Sequence, residues 1–270
     1  MRFCHAFMPL LIALALPATS LSAEAATTRG LQPQDLATLD RFASPTLSPD
    51  GRLVVFAKSV TDYDANKAST SLWVRNLLTL DVAPPSRLTP EGWNVNSPAF
   101  SPDGRTVYFL SGKSGTSQLY AIPAQGGKPV QLTDFPLDVG GYQLSPDGSQ
   151  VAFNVEAFVD CGSDLACTKA KLDQRAASPE TGVVYDRMFV RHWDTWNDGR
   201  LNRVFVTALP TGKALATTAT AIATDVIGDV PSRPFGDSSE YTWAPDGQSL
   251  VMSVRKSDRT EPWSTNFDLY

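Results

Sequence analysis

Hydrophobic residues in this chain come in short runs, each introduced by the same kind of polar corner. Residues 53–57, 106–110, 151–155 and 249–254 are apolar continuously or at every second position, as strands packed on one or both faces require. Each run starts within three residues of a tetrapeptide: Ser48-Pro49-Asp50-Gly51, Ser101-Pro102-Asp103-Gly104, Ser145-Pro146-Asp147-Gly148 or Ala244-Pro245-Asp246-Gly247. Serine caps with its hydroxyl, proline fixes φ at the second position, aspartate suits the third and glycine closes a type I turn. Every copy therefore predicts a hairpin corner between two strands.

The corners start 53, 44 and 99 residues apart, and a period of about 40 to 50 residues marks a propeller or an array. Two landmarks keep phase with them. Leu88-Thr89 and Leu132-Thr133 both stand 13 residues before the next corner. An aliphatic-aromatic pair opening another strand follows each corner, as Leu72-Trp73, Leu119-Tyr120, Val204-Phe205 and Leu269-Tyr270, at offsets of 24, 18, 59 and 25 residues. The long third offset predicts an insertion, at about 156–203, inside the third blade. The expected fold is all-β: a partial β-propeller of about four blades built from TolB/WD40-like repeats, the last one incomplete. Because Leu269-Tyr270 opens a strand that needs neighbours, the chain is expected to be cut off mid-blade with further blades beyond it.

Composition agrees with this reading and removes some function classes. The chain has 270 residues, 42% hydrophobic, with twenty prolines, eighteen glycines and 10% aromatics, which suits many short strands joined by tight turns. A net charge of -5 supplies no basic field for phosphates, so nucleic acid is not an expected partner. Arg2 and His5 precede an apolar run at 6–16, Pro17 breaks it, and Ala23-Glu24-Ala25 offers small residues for cleavage. Residues 1–25 thus read as a signal peptide and 26–270 as the propeller, in a periplasmic or secreted protein. Eleven apolar residues fall short of the roughly 20 that cross a bilayer. Cys4 stands before the run rather than after it, so lipidation is not expected.

Cys161 and Cys167, the two remaining cysteines, are expected to form a local disulfide in an oxidising compartment. A metal pair is the rival, but it would need further ligands, and His192 is the only histidine after residue 25. No metal site and no cofactor are expected. Catalytic motifs are missing too. No Gly-x-Ser-x-Gly elbow occurs, and Gly236-Asp237-Ser238-Ser239 lacks the second glycine in register. Gly112-Lys113-Ser114-Gly115 reads as a hairpin tip, because Val107 stands where a phosphate loop needs its first glycine. Asp62, Asp64, Asp134 and Asp138 read as solvated loop carboxylates.

The densest unusual segment is Arg191-His192-Trp193-Asp194-Thr195-Trp196-Asn197-Asp198-Gly199-Arg200. Strand-like Met188-Phe189-Val190 and 203–206 flank it, and Asn197-Asp198-Gly199 is a tight-turn signal, so it predicts a hairpin with aromatic and charged residues near its tip. Two readings stand. Trp193 and Trp196 could be blade filler with Arg191 and Asp194 as an internal ion pair. Alternatively Arg191, His192, Trp193 and Asp194 face a binding cavity, where arginine holds a carboxylate or carbonyl and aspartate an amine.

The leader, the Ser-Pro-Asp-Gly blades preceded by Leu-Thr and the inserted Arg-His-Trp-Asp-x-Trp hairpin together resemble the N-terminal half of secreted bacterial peptidases of the prolyl oligopeptidase family, in particular the dipeptidyl peptidase 5 or acylaminoacyl peptidase type. The resemblance covers about 31–270. It implies a propeller that caps an α/β-hydrolase domain and filters short peptides, with Ser, Asp and His supplied by that domain and so outside this sequence. The chain alone is then expected to be inactive. The alternative is a periplasmic TolB-like scaffold propeller without catalysis. Such a protein would carry a small α/β domain ahead of its blades, where only about twenty residues separate Ala26 from the first corner. A metal-dependent propeller hydrolase would need a cluster of Glu, Asn, Asp and His that the sequence does not offer.

Overall fold

The computed structural model describes residues 29–79, 83–185, 188, 191–256 and 260–270. The leader therefore lies outside the described residues. A short helix α1 (Pro33–Thr38) precedes four antiparallel sheets. Blade one pairs β1 (Arg41–Leu47), β2 (Leu53–Asp62), β3 (Lys67–Asn76) and β4 (Ser86–Arg87) in that order, and blade two does the same with β5 (Val95–Phe100), β6 (Thr106–Ser111), β7 (Gln118–Pro123) and β8 (Val130–Gln131). In blade three, β9 (Gly141–Leu144) and β10 (Gln150–Ala157) are followed by an insertion. It holds helix α2 (Leu165–Ala177) and a small hairpin of β11 (Arg191–His192) and β12 (Thr195–Trp196). The blade then resumes with β13 (Leu201–Ala208) and β14 (Thr220–Ala221). In blade four, β17 (Leu250–Lys256) pairs with β15 (Gly228–Asp229), β16 (Tyr241–Trp243) and β18 (Asp268–Leu269). The fold is a partial β-propeller.

Alternation along each strand sends successive side chains to opposite neighbours. Val107 and Phe109 of β6 pack with Val55 and Leu72 of blade one. Leu110 faces the other way, into a cluster with Phe135, Phe153 and Phe205. Ala152 and Val204 turn from blade three toward Tyr241, Met252 and Val254 of blade four. Three seams of buried apolar side chains thus hold four blades, as radial stacking demands.

The corner tetrapeptide does more than turn the chain. In the first copy the Ser48 hydroxyl donates to Asp50 Oδ1 at 2.6 Å and accepts the Leu53 N–H at 2.9 Å, while Gly51 N–H closes on the Ser48 carbonyl at 2.8 Å. The Ser101 and Ser145 copies repeat these bonds. The glycines sit near φ +70°, a left-handed conformation costly to any residue with a Cβ. A carbon added at Gly104 would lie 3.3 Å from Pro49 Cδ, one at Gly148 3.2 Å from Pro102 Cδ, and one at Gly247 3.7 Å from Pro146 Cδ. Each corner leans on the proline of the corner before it. The fourth corner leans directly on the third, so no further blade intervenes in the 99-residue gap.

The Leu-Thr landmark has an equally local cause. Leu88 N–H donates to the Leu72 carbonyl and the Thr89 hydroxyl accepts the Leu72 N–H at 2.9 Å. Leu132 and Thr133 do the same to Leu119. Of the aliphatic-aromatic pairs, Leu119-Tyr120 and Leu269-Tyr270 stand at the opening of β7 and β18 as expected, and the other two do not. Leu72 and Val204 lie mid-strand, because β3 and β13 extend before them to pair with long partners, Asp62↔Lys67 and Ala157↔Leu201 marking the ends. Helix α2 is a further departure from the all-β expectation. The polar stretch from Thr168 winds because Asp164 caps it, accepting the Cys167 N–H at 3.0 Å, and Leu165, Thr168 and Leu172 share one face.

Candidate functional site

The insertion spans 158–200 and is bound to its blade at several points. Leu165 is buried in the seam between blades two and three. The Thr168 hydroxyl accepts the Phe158 N–H at 3.2 Å, and the Ser163 hydroxyl accepts the Ala221 N–H at 2.9 Å. Cys161 and Cys167 are joined, with Cα atoms 5.6 Å apart, inside the ordinary disulfide range. The bond ties the 3-10 turn Val159–Cys161 to the first turn of α2. Arg175, near the end of α2, lies over the Phe158 ring and donates to the Asp198 carbonyl at 2.6 Å. This closes the insertion on itself.

The hairpin turns at Trp193-Asp194, since Arg191 pairs with Trp196 and His192 with Thr195. Trp193 takes the left-handed conformation, φ +48°. Asn197-Asp198-Gly199, expected to make this turn, lies beyond it. There Asn197 Oδ1 accepts the Gly199 N–H at 2.8 Å and Asp198 Oδ1 the Arg200 N–H at 3.0 Å, so side chains satisfy the backbone and need no partner strand. Of the expected flank, Phe189 and Val190 lie outside the described residues. Trp193 and Trp196 are exposed rather than filling a blade. The Arg191 guanidinium lies 5.3 Å from the centre of the Trp196 ring rather than on Asp194, and Trp196 stacks on Tyr185 at 5.9 Å. Asp194 stays exposed at the tip.

His192 and Trp193 point the hairpin toward blade four. His192 is half-buried, and burial, then the charges of Arg255 and Arg233, hold its proton affinity below the ordinary range. The Trp193 ring meets Phe235 edge-to-face at 5.4 Å. Phe235 belongs to a loop, residues 230–240, that splits the first strand of blade four into β15 and β16. The first strands of neighbouring blades lie side by side along the propeller axis. The Tyr142 hydroxyl donates to the Ser97 carbonyl at 2.8 Å, Gln143 Nε2 to the Ser238 carbonyl at 2.9 Å, and Trp243 Nε1 to the Gln143 carbonyl at 3.1 Å. The loop therefore rises beside the axis, and the hairpin of blade three reaches across to it.

A charged network joins the end of the insertion, β10 and blade four. Arg233 bridges Asp229 at 3.3 Å and Glu156 at 3.5 Å and donates to the Arg200 carbonyl at 3.0 Å. Arg200 bridges Glu156 at 3.0 Å and Asp198 at 2.7 Å, and Arg255 reaches Glu261 at 3.5 Å. Asp229 accepts the Asn202 N–H at 2.7 Å. Burial pushes the Asp229 carboxyl up to about 6, against the pull of Arg233 and of that N–H. The Glu240 carboxylate anchors the loop, accepting the Ser232 N–H and hydroxyl at 2.7 Å each. On the other side of the hairpin an open cleft of about 970 Å³ is lined by Phe158, Tyr185, Trp196, Leu201 and Ile227 among others. Among the described residues no three of His, Cys, Asp and Glu are grouped to hold a metal ion.

The structure thus places the four expected residues on one hairpin but divides their surroundings: Arg191 lies over Trp196, His192 and Trp193 face blade four, and Asp194 faces solvent. Sequence reasoning missed Phe235 and the Glu156, Arg200, Asp229 and Arg233 network. The signal available was the run Val230-Pro231-Ser232-Arg233-Pro234-Phe235-Gly236, which interrupts the approach to the fourth corner. In the first two blades Ser44-Pro45 and Ser97-Pro98 hold that place as simple bulges.

Comparison with known proteins gives the chain its relatives. No family model matches it. It is 28% identical over 250 residues to dipeptidyl-peptidase 5 of Porphyromonas gingivalis, covering 92% of this chain and 35% of that protein. It is 27% identical over 241 residues to dipeptidyl-peptidase 5 of Porphyromonas endodontalis, covering 89% and 33%. The chain spans about a third of the length of these relatives. Among solved structures, the acylaminoacyl peptidase of Pyrococcus horikoshii superposes with a TM-score of 0.58 at 14% identity, over 87% of this chain and 31% of that one. That likeness is one of fold. Among the described residues no helix is long and apolar enough to cross a membrane.

Proposed function

Because this chain is homologous over nine-tenths of its length to peptidases named dipeptidyl-peptidase 5, we propose that it is the N-terminal propeller of a secreted serine exopeptidase of the prolyl oligopeptidase family, of dipeptidyl or acylaminoacyl peptidase type. The observation that carries the reading is that the similarity spans every blade and the insertion, not the corner tetrapeptides alone. In this reading the propeller admits short peptides and excludes folded protein, with the insertion and axial loop as parts of the filter. Catalysis belongs to a hydrolase domain outside residues 1–270. There a serine attacks the peptide carbonyl, a histidine carries the proton and backbone amides hold the oxyanion. Residues 1–270 by themselves are inactive, and the leader directs the protein to the periplasm or the exterior.

The coding sequence beyond Tyr270 supplies the first test: a Gly-x-Ser-x-Gly elbow on a strand-to-helix turn, followed by Asp and His, is expected. Its absence would sink the reading. The second test assays the whole protein on dipeptidyl and acylated chromogenic substrates and on a folded protein. Cleavage of a short substrate alone is expected, while equal cleavage of the folded protein overturns the filter.

A further inference from the structure

The insertion of blade three ends, and the loop of blade four begins, on a shared anchorage at Asn202. This residue stands second in β13, just past the insertion, and makes three hydrogen bonds to the root of loop 230–240. Its N–H donates to Asp229 Oδ1 at 2.7 Å, its carbonyl accepts the Val230 N–H at 2.9 Å, and its Nδ2 donates to the Pro231 carbonyl at 2.8 Å. Arg233 ties the same two segments again, bridging Glu156 of β10 at 3.5 Å and donating to the Arg200 carbonyl at 3.0 Å. A displacement of either segment therefore strains bonds that the other holds, and the two loosen or hold together.

The weak member of this joint is Asp229. Its side chain is only 9% exposed, and an ionised carboxylate withdrawn from water needs well-aligned partners to repay its lost hydration. Asp229 has the Asn202 N–H, but it meets Arg233 Nε at 3.3 Å without hydrogen-bond alignment, and Arg233 is shared with Glu156. The other charges around it divide. Glu261, from the 3-10 turn Glu261–Trp263 after β17, and Glu156 oppose its ionisation. Arg255, its register partner on β17, is engaged by Glu261, and Arg200 by Glu156 and Asp198. With a proton on, Asp229 keeps a carbonyl oxygen for the Asn202 N–H and has no charge to hydrate. Without it, any opening that returns the carboxylate to water is favoured. We propose that Asp229 makes this joint a proton-operated latch, closed in mildly acidic solution and loosened toward neutral pH, which releases the end of the insertion and loop 230–240 together. The latch requires nothing of the peptidase reading.

The test is amide hydrogen exchange of the full-length protein across a pH series, read by mass in segments 200–206 and 228–236 and corrected for the intrinsic pH dependence of exchange. With the carboxyl at about 6 in the closed joint and at the ordinary 3.8 once hydrated, opening should rise roughly 20- to 30-fold between pH 4.5 and 7.5 and flatten above about 7. Both segments should follow that curve while β6 and β10 keep their protection. Asp229→Asn should abolish the rise, and His192→Gln should leave it in place, since His192 also titrates in the reach of Arg255 and Arg233, under burial first. The wild-type curve is decisive even if Asp229→Asn does not fold. No rise, a rise that continues past pH 8, or one shared by β6 overturns the latch. So does a rise in only one of the two segments, one that survives Asp229→Asn, or one that His192→Gln removes.

Discussion

The corner ladder and the insertion with its axial loop are built on opposite terms. Each Ser-Pro-Asp-Gly corner satisfies itself within six residues: hydroxyl to carboxylate, hydroxyl to N–H, N–H to carbonyl. The insertion, beyond its local caps and turns, is held to itself and to the rest of the molecule through distant partners, such as Arg175 with Asp198, Ser163 with Ala221, and Arg200 with Glu156 of β10. Repetition therefore maintains the ladder copy by copy, and the chain is free to vary elsewhere. Variation has accumulated in one place, the end of blades three and four where candidate chemistry gathers. A rigid repeated frame carries a non-repeated site, a division common where loops on a scaffold do the binding.

The sharpest way to probe this division is at Asp229, where the insertion's network meets blade four. Its carboxyl sits at about 6 in the folded protein against an ordinary value of 3.8. The unfolded chain thus releases its proton at lower pH than the native one, so between about 4 and 6 the native state binds more protons and stability falls as pH rises. The difference amounts to roughly 3 kcal/mol by pH 7. Asp229→Asn can still accept the Asn202 N–H and should remove that loss. Denaturant midpoints at pH 4.5 and 7 should lie closer together in the variant than in the wild type. Equal spacing in both would mean that the buried network does not feel pH in this way.

What was legible in the sequence follows the same division. The four corners, the Leu-Thr pairs and the third-blade insertion could be read because the physics that fixes them lies within about twenty residues of each. Phe235 could not. Nothing near it in sequence distinguishes an exposed aromatic on a turn from a core residue, and its meaning comes from Trp193, 42 positions earlier. The hairpin itself was legible in kind and misplaced in detail, because Asn197-Asp198-Gly199 has the composition of a two-residue turn but spends its side chains on local N–H groups. Helix α2 was obscured by its polar outer face, although Asp164 ahead of Leu165, Thr168 and Leu172 marks a cap and an inward stripe.

A smaller effect separates frame from insertion at the cysteines. Joining Cys161 to Cys167 closes a loop with a sequence separation of 6, for which chain-entropy reasoning gives about 2 kcal/mol. Replacing both by serine should loosen residues 158–177 alone. Amide exchange there is expected to rise roughly 10- to 30-fold, as about 2 kcal/mol of local opening implies, while β6, β10 and β13 keep their protection. A uniform rise through the blades would show that the insertion is part of the frame. Intact mass bears on the bond directly: protein recovered from the periplasm should be two hydrogens lighter than its reduced form, and free thiols would remove the premise.

The smallest change acts within the ladder, at the copy that departs from it. The fourth corner keeps the Gly247 N–H on the Ala244 carbonyl at 2.9 Å and the Gln248 N–H on Asp246 at 2.9 Å, but it has no hydroxyl to join carboxylate to strand. In the third corner the Ser145 and Ser149 hydroxyls and the Ser149 N–H hold Asp147 down at about 2, hydroxyl of Ser145 first. Ala244→Ser supplies the missing donor and acceptor at a backbone already in the right geometry. It should stabilise the protein by about 0.5–1 kcal/mol, the ordinary worth of such a bond, and Ser145→Ala should cost about as much. Thermal unfolding of the pair decides it. If Ala244→Ser gains nothing while Ser145→Ala costs, the bond depends on the neighbouring corner's proline packing more closely than the 3.7 Å seen at Gly247, and the ladder is cooperative rather than a sum of independent turns.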